Sequence, residues 1–128
     1  MDKTKTYIKM SDHPLIQGQW ECLEGDYFYG KGWWGFAKVM ILFDANSCCA
    51  VLPQEDATWL PRQDQIQGMI FNEQEGVQTI ANRIADFSTS RIGTSISIQG
   101  TMEQLWLVFY MHEKHGLTWD SDEWRDNG

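Results

Sequence analysis

Residues 26–36, which read DYFYGKGWWGF, decide the expected fold. These eleven residues include six aromatic side chains and three glycines, and a continuous apolar run, 39–43, follows them. Aromatic residues favour strands, and glycine adopts the positive φ that a tight reversal needs. We therefore predict a β-hairpin or a strongly bent turn here, whose second arm continues through Phe43.

Further strands are predicted where apolar and polar residues alternate, or where a short apolar run stands between turn residues. These segments are 6–10, 19–24, 48–52, 66–71, 94–99 and 105–111. Residues of both parities are apolar in 33–43 and again in 105–111. A strand with water on one face should alternate, so this pattern predicts strands that are covered on both faces.

Residues 77–88 fit two interpretations. At helical spacing, an apolar stripe forms from Val77, Ile80, Ala81, Ile84 and Phe87. At strand spacing, apolar and polar residues mix on each face, which is a poorer pattern. The pattern favours a helix, whereas the predicted strands on both sides favour another strand.

Together these elements predict a mainly β fold, an antiparallel meander that forms a barrel or half-barrel, with one helix near 77–88. The alternative is an α+β fold in which that helix packs on one face of the sheet. A chain of 128 residues fits one domain. We expect a single domain over 1–128, with a short N-terminal arm (about 1–14) and an acidic C-terminal tail (about 117–128).

The formal net charge of −8 argues against nucleic acid as a ligand, because binding to a phosphate backbone needs a basic patch. An acidic chain can instead attract a basic protein partner. The first residues lack the apolar core of a secretory signal, and no apolar run reaches the length of a membrane span. The odd cysteine count (Cys22, Cys48 and Cys49) favours reduced thiols. We therefore expect a cytoplasmic protein without membrane contact.

Motifs that would indicate chemistry are weak. His112 and His115 have a spacing that would place two imidazoles on one face of a helix, but the predicted strand end and Gly116 place them in a turn, so no metal site is expected. The carboxylates at 120–123 lack the alternation and the glycine of a calcium loop. Since neither a nucleophile nor an acid–base pair can be named, we expect no enzymatic activity and no cofactor.

The pair Gly18-x-Trp20, near the start of a predicted β meander, resembles the signature of the lipocalin (calycin) group. The resemblance implies a closed antiparallel barrel that holds a small apolar ligand. It also implies that Trp20 closes the base of the barrel.

Two binding functions are therefore predicted. In the first, a concave sheet binds a small apolar molecule; its lining residues would be Trp20, Trp33, Trp34, Phe36, Trp106 and Tyr110. In the second, the protein neutralises a basic partner, as immunity or inhibitor proteins do, through Trp119, Asp120, Asp122, Glu123 and Trp124. The aromatic hairpin could also form a homodimer interface.

Overall fold

The computed structural model describes residues 1–21, 23–30, 38–41, 57–70, 76–90, 100–120 and 122–126. They belong to an N-terminal unit (Lys3–Arg62) and a C-terminal unit (Met1–Asp2 with Gln63–Gly128). Both helices and strands contribute, so the fold class is α+β. The expected mainly β barrel or half-barrel is wrong, because the described strands form only a three-stranded sheet and a two-stranded hairpin.

The N-terminal unit begins with two short helices, α1 (Lys5–Ser11) and α2 (Pro14–Gln17). The hydroxyl of Thr4 caps α1 by accepting a hydrogen bond from the Tyr7 backbone N–H at 3.2 Å. Tyr7, Met10 and Ser11 are buried, at the spacing of one helical face. The strand expected at 6–10 is therefore wrong. Five residues of alternating polarity are a weaker signal than the N-cap of Thr4 and the helical spacing of the buried residues.

The sheet of this unit consists of β1 (Tyr27–Gly30), β2 (Lys38–Ile41) and β3 (Ala57–Leu60), in the order β2-β1-β3. All pairs are antiparallel, and Tyr27 lies opposite Ile41 on one side and Leu60 on the other. The antiparallel pairing of β1 with β2 confirms that these two segments form the arms of a hairpin, while the predicted reversal at the glycines lies outside the described residues. The predicted strands at 48–52 and 94–99 lie outside the described residues, as do Trp33, Trp34, Phe36 and the three cysteines.

A side-chain amide closes the edge of the sheet at β3. Gln17 Oε1 accepts a hydrogen bond from Trp59 N at 2.8 Å, and Gln17 Nε2 donates to Trp59 O at 3.0 Å and to Ser11 O at 2.7 Å. Tyr7 Oη donates to the Pro61 carbonyl at 2.6 Å just beyond the strand. The Gln17 amide thus pairs with the edge strand as the peptide group of a neighbouring strand would, which protects the edge from strand addition.

A buried carboxylate organises the turn before β1. Asp26 is 1% exposed. Its Oδ2 accepts hydrogen bonds from Trp20 Nε1 at 3.0 Å and from Leu23 N at 2.9 Å. Its Oδ1 lies 3.5 Å from the Arg62 guanidinium. The strand expected at 19–24 is absent from the described residues of that range, since the backbone bends around this carboxylate instead.

The C-terminal unit contains α3 (Gln63–Ile70), α4 (Val77–Ser88) and α5 (Met102–His115), and both shorter helices contact α5. The helix over 77–88 is confirmed. The strands expected at 66–71 and 105–111 are wrong. A helix that is buried on all sides has apolar residues at successive positions, and so does a strand that is covered on both faces. The length of the segment distinguishes the two, because helices are longer than strands.

Both ends of α5 carry capping signals. Thr101 Oγ1 accepts a hydrogen bond from Gln104 N at 3.2 Å, and Gly116 ends the helix with a φ of 67°. Asp2 is also buried here, where its Oδ2 accepts from Thr101 Oγ1 at 2.6 Å and from Gln104 Nε2 at 2.8 Å. These bonds hold the first residues of the chain against α5.

None of the helices in the described part of the chain has the length and apolarity that crossing a bilayer requires.

Candidate functional site

A half-open apolar groove lies on the three helices of the C-terminal unit. Its volume is about 390 Å³. The described residues that line it come from α3, α4 and α5: Gln67, Gly68, Val77, Ile80, Ala81 and Trp106. None of these side chains is charged, and Gln67 supplies the one polar side chain among them. At its described walls the groove can therefore take an apolar molecule without burying an unpaired charge.

Helical spacing explains how α4 faces the groove. Val77, Ile80 and Ala81 follow one another at i, i+3 and i+4, so they share one side of the helix. Ile80 is buried, whereas Val77 is 75% exposed. A large apolar side chain at the start of the stripe is thus left in water, where a ligand could cover it.

Packing rather than hydrogen bonding fixes Trp106. The side chain is 6% exposed, and its ring meets Phe109 edge-on at 6.0 Å between ring centroids. Phe109 in turn contacts Phe87 of α4 at 5.3 Å. Trp106 Nε1 is shielded from solvent and has no acceptor among the described residues. The aromatic wall of the groove is therefore held from behind by the core of the unit.

The predicted ligand-lining residues that the structure describes are Trp20, which belongs to the N-terminal unit, and Trp106 and Tyr110, which belong to the C-terminal unit. Trp106 lines the groove, which is a surface of helices and not the concave sheet that was expected. Trp20 belongs to the N-terminal unit, where its indole serves the Asp26 carboxylate and its ring lies 6.2 Å from that of Phe28. Trp20 is thus a structural residue of that unit.

Tyr110, one helical turn beyond Trp106 on α5, is not among the described residues of the groove. It is 4% exposed, and its hydroxyl lies 3.3 Å from His115 Nε2. Burial raises the pKa of the Tyr110 phenol above its ordinary value. His115 therefore contacts Tyr110 within α5. The turn expected at 112–115 is wrong, because these residues form the last turn of that helix.

The predicted partner-binding residues meet in a hairpin of β4 (Leu117–Trp119) and β5 (Trp124–Asp126). Trp119 lies opposite Trp124, with ring centroids 5.1 Å apart and edge-to-face geometry. The Asp120 N–H donates to Glu123 O at 3.1 Å, which makes the tryptophans a non-hydrogen-bonded pair, the position at which facing side chains come closest.

Two carboxylates of this hairpin, those of Asp120 and Glu123, have partners within it. Asp120 Oδ1 accepts hydrogen bonds from the backbone N–H groups of Glu123 at 3.1 Å and of Asp122 at 3.3 Å. Arg125 forms ion pairs with Asp120 and, at 3.1 Å, with Glu123. The acidic cluster therefore stabilises the turn, which reduces the charge that it offers to a partner.

A second, more open depression of about 340 Å³ lies on the other part of α4 and α5. Its described lining residues are Arg83, Asp86, Phe87, Ser90, His112 and Glu113. Arg83 Nη2 donates to Glu113 Oε2 at 2.5 Å, so the positive charge of Arg83 is paired with a carboxylate of the same depression. This mixed-charge surface is a weaker candidate than the apolar groove.

Sequence reasoning missed Gln67 and Gly68, because 66–71 was interpreted as a strand. The sequence places Val77, Ile80 and Ala81 on one helical stripe, but the expected partner of this helix was a face of the sheet. The position of Val77 could have indicated an exposed apolar surface, because Val77 is the first residue of the helix and has few neighbours to pack against.

Within the described ranges, His, Cys, Asp and Glu side chains nowhere gather in a group of three that could hold a metal ion. No protein-family model, curated protein or solved structure matches the chain.

Proposed function

We propose that the protein is a non-enzymatic binding protein whose groove on α3, α4 and α5 takes a small, uncharged, apolar molecule. The observation that carries the proposal is the groove itself. Its volume of about 390 Å³ falls within the range of small-molecule sites, roughly 300–1,000 Å³. This replaces the concave sheet as the place of binding, while the predicted class of ligand is kept.

The lining favours an apolar ligand for energetic reasons. Covering apolar surface contributes about 25 cal/mol per Å², and Val77 at 75% exposure offers such surface. A charged group inside the groove would lose hydration without meeting an opposite charge among the described lining residues. The walls lie on regular helices, and the Trp106 ring is held against Phe109, so little ordering is required when the ligand enters.

Ala81→Asp is expected to weaken binding of the uncharged fluorescent probe phenylnaphthylamine by about tenfold or more. The new carboxylate would either lose water when the probe covers it or hold water where the probe should lie. The measurement is a fluorescence titration of the wild type and the variant at the same protein concentration.

Ala85→Asp is the matched control. Ala85 lies one turn further along α4, is also exposed, and is absent from the described lining of the groove. The same substitution changes helix propensity by the same small amount at both positions, about 0.5 kcal/mol. Equal loss of binding in the two variants, or a wild type that does not bind the probe, would contradict the proposal.

A second candidate is supported by the hairpin. The half-buried pair Trp119 and Trp124 is presented beside carboxylates, and aromatic residues of this kind dominate protein interfaces. We expect Trp124→Ala to abolish capture of a basic protein partner, in a pull-down that weakens as salt is raised. Capture that survives both the substitution and high salt would remove this candidate.

A cytoplasmic location also belongs to the proposal. It is supported by the odd cysteine count, since paired cysteines are typical of oxidising compartments. Cell fractionation combined with thiol labelling would test it, and a chain recovered with its thiols blocked by disulfides would contradict it.

A further inference from the structure

Gly68 is a glycine that backbone geometry does not explain. It lies within α3, two residues before the last residue of the helix, Ile70, and its φ is not in the positive region that favours glycine. A Cβ built at this position meets no atom of the described residues within 4 Å, so none of the described segments comes close enough to require the missing side chain. Glycine inside a helix is less favourable than alanine, and here neither of its usual structural uses applies.

What Gly68 does contribute is space in the groove. It lines the groove together with Ala81, and the two smallest side chains of the lining thus come from two different helices. At Gly68 the wall of the groove is the backbone of α3, without a side chain. Another part of the same lining is the large ring of Trp106. A side chain at this position would extend into the volume that a bound molecule needs.

We propose that Gly68 is the specificity-determining residue of the groove, and that its missing side chain admits a compact, ring-shaped apolar molecule. The inference rests on the proposed function and narrows the class of its ligand. A bulky ring system needs the width that the absent side chain leaves. A slim aliphatic chain can lie along the remaining walls of Val77, Ile80 and Trp106 without it.

The test uses adamantanol and decanol, two uncharged alcohols with equal numbers of carbon atoms but different widths. Each competes with phenylnaphthylamine for the wild type, Gly68→Ala and Gly68→Leu. Gly68→Leu is expected to weaken adamantanol by about tenfold, the equivalent of about two methylene groups of lost burial, and decanol by less than about threefold. Gly68→Ala is expected to weaken adamantanol by about threefold.

Stability provides the independent readout. Because alanine favours a helix more than glycine does, Gly68→Ala is expected to raise the urea midpoint of unfolding while it lowers the affinity for adamantanol. The control is Gly76→Ala at the N-cap of α4, which is absent from the described lining. An added Cβ there also meets none of the described atoms within 4 Å. This control variant should leave both affinities unchanged.

The outcomes separate the two claims. A wild type that binds neither phenylnaphthylamine nor either alcohol overturns the proposed function and this inference with it. A wild type that binds, together with Gly68 variants that keep full affinity for adamantanol, overturns the inference alone. Equal losses for adamantanol and decanol in Gly68→Leu would also overturn it, since they would show blockage without selection by width.

Discussion

Asp26→Ala is expected to lower the free energy of unfolding of the N-terminal unit by about 3 kcal/mol, the lower end of the cost of breaking a buried ion pair. The substitution leaves Trp20 Nε1 and the Leu23 N–H without their acceptor, each at 3.0 Å or less in the wild type. It also removes the carboxylate that faces the Arg62 guanidinium. Arg62 is 34% exposed at its side chain and can regain water, which keeps the expected loss moderate.

Asp26→Asn separates the two contributions of that carboxylate. The asparagine amide oxygen can still accept from Trp20 Nε1 and Leu23 N in place of Oδ2, whereas the charged oxygen opposite Arg62 is replaced by an amide NH2 group. The expected cost is about 1 kcal/mol, the value of a partly exposed ion pair. Urea unfolding followed by tryptophan fluorescence measures both variants. If alanine and asparagine destabilise equally, the hydrogen bonds from Trp20 and Leu23 do not hold this turn.

Phe109→Ala is expected to destabilise the C-terminal unit by about 3–5 kcal/mol, the usual cost of removing a buried phenylalanine ring. Phe109 is fully buried and lies between the rings of Phe87 at 5.3 Å and Trp106 at 6.0 Å. Its loss leaves a cavity between α4 and α5 directly behind the groove. Thermal and urea unfolding followed by circular dichroism would measure the change.

Phe109→Leu is the matched variant, since it retains most of the buried volume. An expected loss of about 1–1.5 kcal/mol would follow from the smaller change in shape. Met102→Ala, at an exposed apolar position on the first turn of the same helix, is expected to stay within about 0.5 kcal/mol of the wild type. Similar losses in all three variants would contradict a core centred on Phe109.

The parts of the fold that follow from the sequence are those with one dominant pattern. Ile80, Ile84 and Phe87 recur at helical spacing, which predicts α4, and the structure confirms it. The aromatic residues before Gly30 predict the strand β1 and its antiparallel pairing with β2, which is also confirmed. In both cases local propensity and tertiary packing favour the same structure.

The parts that do not follow are buried helices. Residues 105–111 are apolar at every position but belong to a helix whose flanks carry the decisive signals, Thr101 at the N-cap and Gly116 beyond the end. Because both residues are also common in turns, the 14-residue helix between them was not predicted. Once α5 and α3 were taken for strands, a barrel was the consistent but wrong conclusion.

The groove could be predicted only in part for the same reason. Trp106 was named as a ligand contact from its residue type, because tryptophan suits both recognition and packing. Gly68 could not be linked to it, since a groove formed by three helices has no signature in a sequence interpreted as strands. The paired tryptophans of the hairpin were identified, but the role of Arg125 in neutralising Asp120 depends on the fold of the turn.

The most direct test of binding in the groove is an NMR titration of the full chain with phenylnaphthylamine. We expect chemical-shift changes concentrated at the backbone amides of Gln67, Gly68, Ile80 and Ala81 and at the indole N–H of Trp106, and we expect Ala81→Asp to abolish them. A spectrum without changes, or changes concentrated at Trp119 and Trp124, would contradict binding in the groove.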